Sequence, residues 1–344
     1  MNILALLFSN FVQAAEVSVM TRGHASNPVW SANGSKLAFE VNDYAGKISL
    51  FTVDVENGEP RDVPRQVSLS TGGLYSDSSG IVASPVWHPQ GYLIFEALYA
   101  GGNARIYMES HNTVTEVVDK TTLNGDLSWP TLSSDGETVV FVSDATGQGD
   151  VYSYTIRGKN LKHLVDTSNS SEMAPRLNPD GELVFTHKKG GGEDLYVLSS
   201  GATAPKHHIG GNGDQTRPIW AGDSLVFFSN ERGTDLWDVV VAGDSKSKRV
   251  LSKNVRLPFR SPPALSPDKK WVAYGLNDPR KSEKIWFTKL DGSKTVAFNT
   301  GHVACGEPNL TEINGQVYLA YTALPAEGSA WRQLHIRDVT SLLK

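Results

Sequence analysis

"APRLNPDGELVF", residues 174–185, sets out a short run of local structure that decides the fold. Pro175 fixes φ and has no N–H to donate, which suits the start of a strand. Leu177, two residues later, is bulky enough to pack between layers. Asn178 to Gly181 is a tight turn, in which proline sets one φ and glycine accepts a positive one. "ELVF" then has the length and apolar character of a buried strand.

The same order recurs along the chain, as "NPVWSANGSKLAF", "SPVWHPQGYLIF", "WPTLSSDGETVVF", "RPIWAGDSLVFF", "PPALSPDKKWVAY" and "EPNLTEINGQVYLAY". The anchoring prolines, Pro28, Pro85, Pro130, Pro175, Pro218, Pro263 and Pro308, are 57, 45, 45, 43, 45 and 45 residues apart. That period belongs to propeller blades and not to helical repeats of about 33 or 34 residues. A second β-type run follows each turn after a glycine-rich hairpin, as in "DVYSYTI" and "DLYVLS", and a less regular fourth run such as "LKHLVD" comes next. Four antiparallel strands per copy predict an all-β chain, a seven-bladed β-propeller of four-stranded antiparallel blades. After the last third strand only "TSLLK" follows Val339, too little for a fourth. The segment "EVSVMT", Glu16 to Thr21, is therefore expected to supply it and to close the ring by the N-terminal strand, removing open sheet edges. Residues 15–344 read as one domain.

Composition agrees with a turn-dense globular protein: 39% hydrophobic, 20% charged and 32 glycines. The net charge of -5 comes without a dense Lys/Arg stripe, so nucleic acid is set aside as a partner. Residues 1–14, "MNILALLFSNFVQA", hold an apolar run too short to span a bilayer, followed by small residues suited to cleavage; a signal peptide is expected, with a periplasmic or secreted protein that is not integral to the membrane. Cys305 is the single cysteine, which forbids an intrachain disulfide.

Copies such as "PRLNPDGELVF...DLYVLS" and "PVWSANGSKLAF...ISLFTVD" resemble the β-propeller repeats of TolB and its relatives, a branch of the WD-like repeat proteins. The resemblance runs from Pro28 to about Val339. It implies a periplasmic scaffold whose propeller docks an envelope protein, which for TolB is the peptidoglycan-associated lipoprotein. The name-giving member has an N-terminal α/β domain and six blades, whereas seven copies are read here. Similar propellers occur in prolyl-oligopeptidase-type peptidases beside a hydrolase domain, and in oligogalacturonate lyases, where the propeller itself binds a metal.

In a propeller the loops leading into the inner strands converge on the channel mouth. There the candidate binding residues are Asp77, Asp126, Glu172, Asp214, Arg217, Arg260, His302 and Glu307, a mixed-charge rim. The competing reading is that such carboxylates cap turns or bond to neighbouring backbone N–H groups. His24 and His302 are the candidate metal ligands, from loops that become neighbours when the ring closes, but no H-x-x-x-H or H-E-x-x-H spacing supports them. "GGNGD" lacks the helix and lysine of a phosphate cradle, and no G-x-S-x-G elbow is present. The sequence reading is thus a non-enzymatic scaffold that binds a protein or peptide of the cell envelope through the channel mouth, with no cofactor. The alternative is a carbohydrate-active enzyme or glycan-binding lectin on the same face.

Overall fold

The structure, a computed structural model, describes residues 15–17, 22–43, 45–68, 80–99, 102–167, 169–243, 246–326 and 328–344. Among them one short 3-10 turn, Pro279–Lys281, is the only helical element. The strands form five four-stranded antiparallel sheets and one sheet of nine strands. The third copy is typical: Leu127–Leu132, Thr138–Ser143, Asp150–Thr155 and Asn160–Val165 pair in chain order.

The nine-stranded sheet holds the first two copies, joined through one parallel pair, Ile48 opposite Ile81. The longer first spacing falls here. Two short strands, Glu59–Pro60 and Arg65–Gln66, fold back on Ile48–Glu56 where other copies have a regular fourth strand. Residues 69–79, with Asp77, lie outside the described residues. The sheet of the seventh copy takes Ala15–Val17 as its fourth member, with Ala15 opposite Ile336 and Val17 opposite Leu334. The rest of the expected strand, 18–21, and the expected signal peptide, 1–14, lie outside the described residues.

The repeated residues explain the packing. Phe39, Phe95, Phe141, Phe185 and Phe227 occupy one position of the second strand in successive copies and are fully buried. In the first four copies that phenylalanine stacks on its registered partner of the third strand: Phe51, Tyr107, Tyr152 and Tyr196. Such cross-strand aromatic pairs add to the burial itself, so truncating one phenylalanine to alanine costs about 3 to 5 kcal/mol. The bulky residue two after the proline reaches the preceding copy. The Trp87 indole donates to the Val29 carbonyl at 2.9 Å and Trp220 to the Arg176 carbonyl at 3.1 Å.

Six of the inner strands carry the same irregularity. The residue just before the proline has a positive φ in Asn27, Ser84, Trp129, Ala174, Arg217 and Glu307, and at each the pairing register shifts by a β-bulge. A bulge twists the strand and re-aims the backbone, leaving these N–H groups out of the ladder. The sixth copy is the exception. Its inner strand shrinks to Ala264–Leu265, and the segment before it, residues 256–263, is irregular. The third strand of the fifth copy is also shorter than its apolar run, starting at Asp238, because Gly233 to Leu236 form a turn and the Asp238 carboxylate is held by Arg232.

Candidate functional site

The unpaired N–H groups of the bulges decide what lies at the meeting point of the inner strands. The Asn27 N–H donates to Glu307 Oε2 at 2.6 Å, Ser84 to Glu40 Oε1 at 2.8 Å and Trp129 to Glu96 Oε2 at 3.0 Å. Arg217 uses the Thr186 hydroxyl in the same way, at 3.1 Å. These four bulges are thus capped by side chains from neighbouring copies. Burying a carboxylate costs several kcal/mol unless it is bonded and compensated; Glu40 is 1% exposed and Glu96 5%, while Glu307 is partly buried. Burial pushes Glu40 up to about 7, against the opposing pull of the Asn27 amide and the Ser84 N–H. Burial likewise raises Glu307 above the usual carboxylate range.

The compensating charge comes from the irregular segment of the sixth copy. Arg260 forms an ion pair with Glu96 and donates to Ser84 Oγ at 2.9 Å, 164 and 176 residues away in sequence. Its guanidinium also lies 5.0 Å from the Trp129 ring centre, a cation–π contact. Ser261 donates to the Asn27 amide oxygen at 2.6 Å, Arg217 to the Pro258 carbonyl, and Arg256 to the Ala304 carbonyl at 3.1 Å. The segment is therefore tied to the first, second, fifth and seventh copies. Between those ties Phe259 is 60% exposed.

Of the sequence candidates, Arg217, Arg260 and Glu307 come together in this network. Asp126 and Asp214 do not join it; they occupy equivalent places in their copies and clamp backbone. Asp126 accepts from the Ala104 N–H at 2.7 Å and its own N–H donates to Asp144. Asp214 accepts from the Glu193 N–H at 3.1 Å and its own N–H donates to Asn230. Asp214 also lines an open cavity of about 790 Å³ between the fourth and fifth copies, with His187, Tyr196 and Arg232. Glu172 is buried at the seam of the third and fourth copies, where its Oε1 accepts from Thr167 Oγ1 at 2.6 Å and lies 2.8 Å from His187 Nδ1; burial pushes it up to about 7.

The two candidate metal histidines are engaged separately. His24 Nδ1 accepts from the Arg332 N–H at 3.1 Å. His302 Nδ1 is 3.0 Å from the Tyr321 hydroxyl, and its ring stacks on His335 at 3.9 Å. Burial lowers the pKa of both, which keeps the rings neutral. Among the described residues the set with metal-ligand spacing is Asp150, His163 and Asp166.

Sequence reasoning missed Glu40, Glu96 and Asn27. The signal for the glutamates was present: "LAFE" and "LIFE" put a carboxylate directly after the buried phenylalanine, where the other copies have Val142, Thr186, Phe228, Gly275 and Thr322.

No family model matches the sequence. The Tol-Pal system protein TolB of Francisella tularensis is 26% identical over 245 residues, 69% of this chain and 53% of that protein. The chain thus spans about half the length of this curated relative, and 40% of a TolB homolog from Chlorobium chlorochromatii. Among solved structures, TolB from Acinetobacter baumannii superimposes with a TM-score of 0.55 at 16% identity, over 89% of this chain and 64% of that one. An oligogalacturonate lyase from Vibrio parahaemolyticus gives a TM-score of 0.63 at 12% identity, over 96% of this chain and 94% of that one. With its proline-anchored repeats, its four-stranded antiparallel sheets and these likenesses, the chain is a TolB-like β-propeller protein.

Proposed function

We propose that the seven copies form seven blades of one ring, that the strand Ala15–Val17 closes it, and that the protein is an exported, non-enzymatic scaffold. Its loop face at the channel mouth docks a protein or peptide of the cell envelope. The observation that carries this reading is Phe259, a large aromatic group 60% exposed on a segment pinned by Arg256, Arg260 and Ser261. An aromatic anchor on a rigid support loses little freedom on binding, which is how a few residues come to dominate an interface. Arg217, Arg260 and Glu307 stand beside it, with Asp126, Asp214 and Glu172 farther out. The naming of the Francisella relative as a Tol-Pal system protein supports an envelope role and a periplasmic location.

The test is cross-linked capture from the host envelope, with identification of what is bound, using wild type and Phe259→Ala. Because Phe259 is exposed, the variant is expected to keep the wild-type melting temperature while losing the partner. Equal capture by both proteins would sink the reading. Turnover of a uronate-containing glycan by the same preparation would move the carbohydrate-active alternative into first place.

A further inference from the structure

We propose an anion-binding cleft at the seam of the fifth and sixth copies, built to hold a ligand that carries two or more phosphate groups. The cleft measures about 710 Å³, the size of a small-molecule site. Lys248, Arg249, Lys269, Lys270 and Lys289 line it, and among the described residues Asp291 is the one acid that does. The chain as a whole is acidic, with a net charge of -5, so the cleft reverses the sign locally. It lies where the turns between first and second strands meet those between third and fourth strands in these two copies. That is the end of the sheets opposite the loops that lead into the inner strands and carry Phe259, so the cleft is separate from the channel mouth.

The walls that present these cations are fixed. The Arg249 guanidinium crosses the seam and donates to the Asp291 carbonyl at 2.7 Å. The Leu290 N–H donates to the Lys270 carbonyl at 2.9 Å, which joins the two turns of the sixth copy into one wall. Lys289 and its neighbour Lys294 both stand over the Trp271 ring, their Nζ atoms 5.4 and 5.5 Å from its centre. Lys248 is neutralised by Glu231, and Lys270 lies 3.7 Å from Asp268, but among the described residues Arg249, Lys269 and Lys289 form no ion pair. Asp291 gives one oxygen to the Ser293 N–H at 2.8 Å. Like charges gathered in one cleft repel, so the arrangement costs stability until an anion fills it.

Lys269 is an independent sign. The first four copies place glycine six residues after the anchoring proline, at Gly34, Gly91, Gly136 and Gly181, with φ between 68° and 82°. The sixth copy sets a lysine in the same left-handed turn, at φ 56°. A side chain is strained there where glycine is not, and what the strain brings is one more ammonium at the cleft. The cations also select the ligand. Ammonium groups are compact charges with three donors each, so several of them can share the oxygens of a tetrahedral phosphate, and Arg249 adds a planar fork. Because the cations stand on walls from two copies, an anion with more than one phosphate can engage both.

The test uses the full chain and two probes: inorganic tripolyphosphate by calorimetry, and phosphatidylglycerol vesicles by co-sedimentation with phosphatidylcholine vesicles as the blank. Wild type is expected to bind one tripolyphosphate per chain. Lys269→Gly should weaken binding about fivefold or more while melting no lower than wild type, so the loss is not a loss of fold. Lys289→Gln should weaken it to a similar degree. Lys162→Gln removes an exposed lysine of the third copy and should bind as wild type does. Vesicle binding that tripolyphosphate displaces would assign a lipid headgroup as the source of the phosphate; tripolyphosphate binding without vesicle binding would assign a free anion, and either result upholds the site. No saturable binding of tripolyphosphate, or equal weakening by Lys269→Gly and Lys162→Gln, would overturn it.

Discussion

Glu96 and Glu172 are both carboxylates buried at seams between copies, yet they are treated in opposite ways. Glu96 is met by a guanidinium brought 164 residues along the chain, whereas Glu172 is met by Thr167 and His187 and keeps one oxygen without a partner. The first arrangement is complete within the chain and ties distant copies together. The second is local, held by a hydroxyl and an imidazole from its own neighbourhood, and this difference separates a tie between distant copies from an acid kept by its near neighbours.

The sharpest way to break the comparison is to remove the imported cation. Arg260→Met leaves Glu96 buried without its partner and should cost about 3 kcal/mol, read from the urea midpoint at constant slope. A loss below about 1 kcal/mol would mean that the tie contributes nothing. Next comes Glu40, which shares the central network. Its folded form titrates near 7, while an unfolded glutamate titrates near about 4.3. Between these values the folded protein holds a proton that the unfolded chain has released, so stability falls as pH rises through this window and the loss is complete above it. Glu40→Gln cannot ionise and should flatten that slope, by something of the order of 2 kcal/mol across the window. Superimposable pH profiles for wild type and variant would contradict this.

A smaller effect is expected at the other acid. Glu172→Gln strands no lysine or arginine, so it should change stability by less than about 1 kcal/mol, clearly less than Glu96→Gln, which deprives Arg260 of its carboxylate. Equal losses would erase the distinction between the two seams. Smallest is a turn on the sixth copy, where Lys269 takes a φ of 56° in the place that other copies give to glycine. Lys269→Gly should raise the melting temperature slightly, by about 0.5 to 1 kcal/mol of stability, with no effect on either acid.

The fold was legible because its instructions are local and repeated. Proline, a bulky residue and an Asx-Gly turn each act within a few residues, and an apolar run after each turn leaves little choice of element. The central network was not legible in the same way, because its members lie about 13 to 280 residues apart and meet only through the sheets. Arg260 and Glu307 were reached from their loops. Glu40 and Glu96 sit inside strands, where attention to loops does not look. Asp126 and Asp214 show the converse. Their loops mark them as candidate binding acids, and the structure puts them on backbone N–H groups, as short acidic side chains in loops commonly are.

The bulges before the prolines also make the centre observable atom by atom. Asn27, Ser84 and Trp129 each point one backbone amide at a different carboxylate. An amide proton that donates to an ionised carboxylate is strongly deshielded, and the effect fades as the acid takes up a proton. Three well-separated resonances in a nitrogen-correlated spectrum would then report the charge on Glu307, Glu40 and Glu96 individually, so that a guest arriving at the centre would announce which acid it touched.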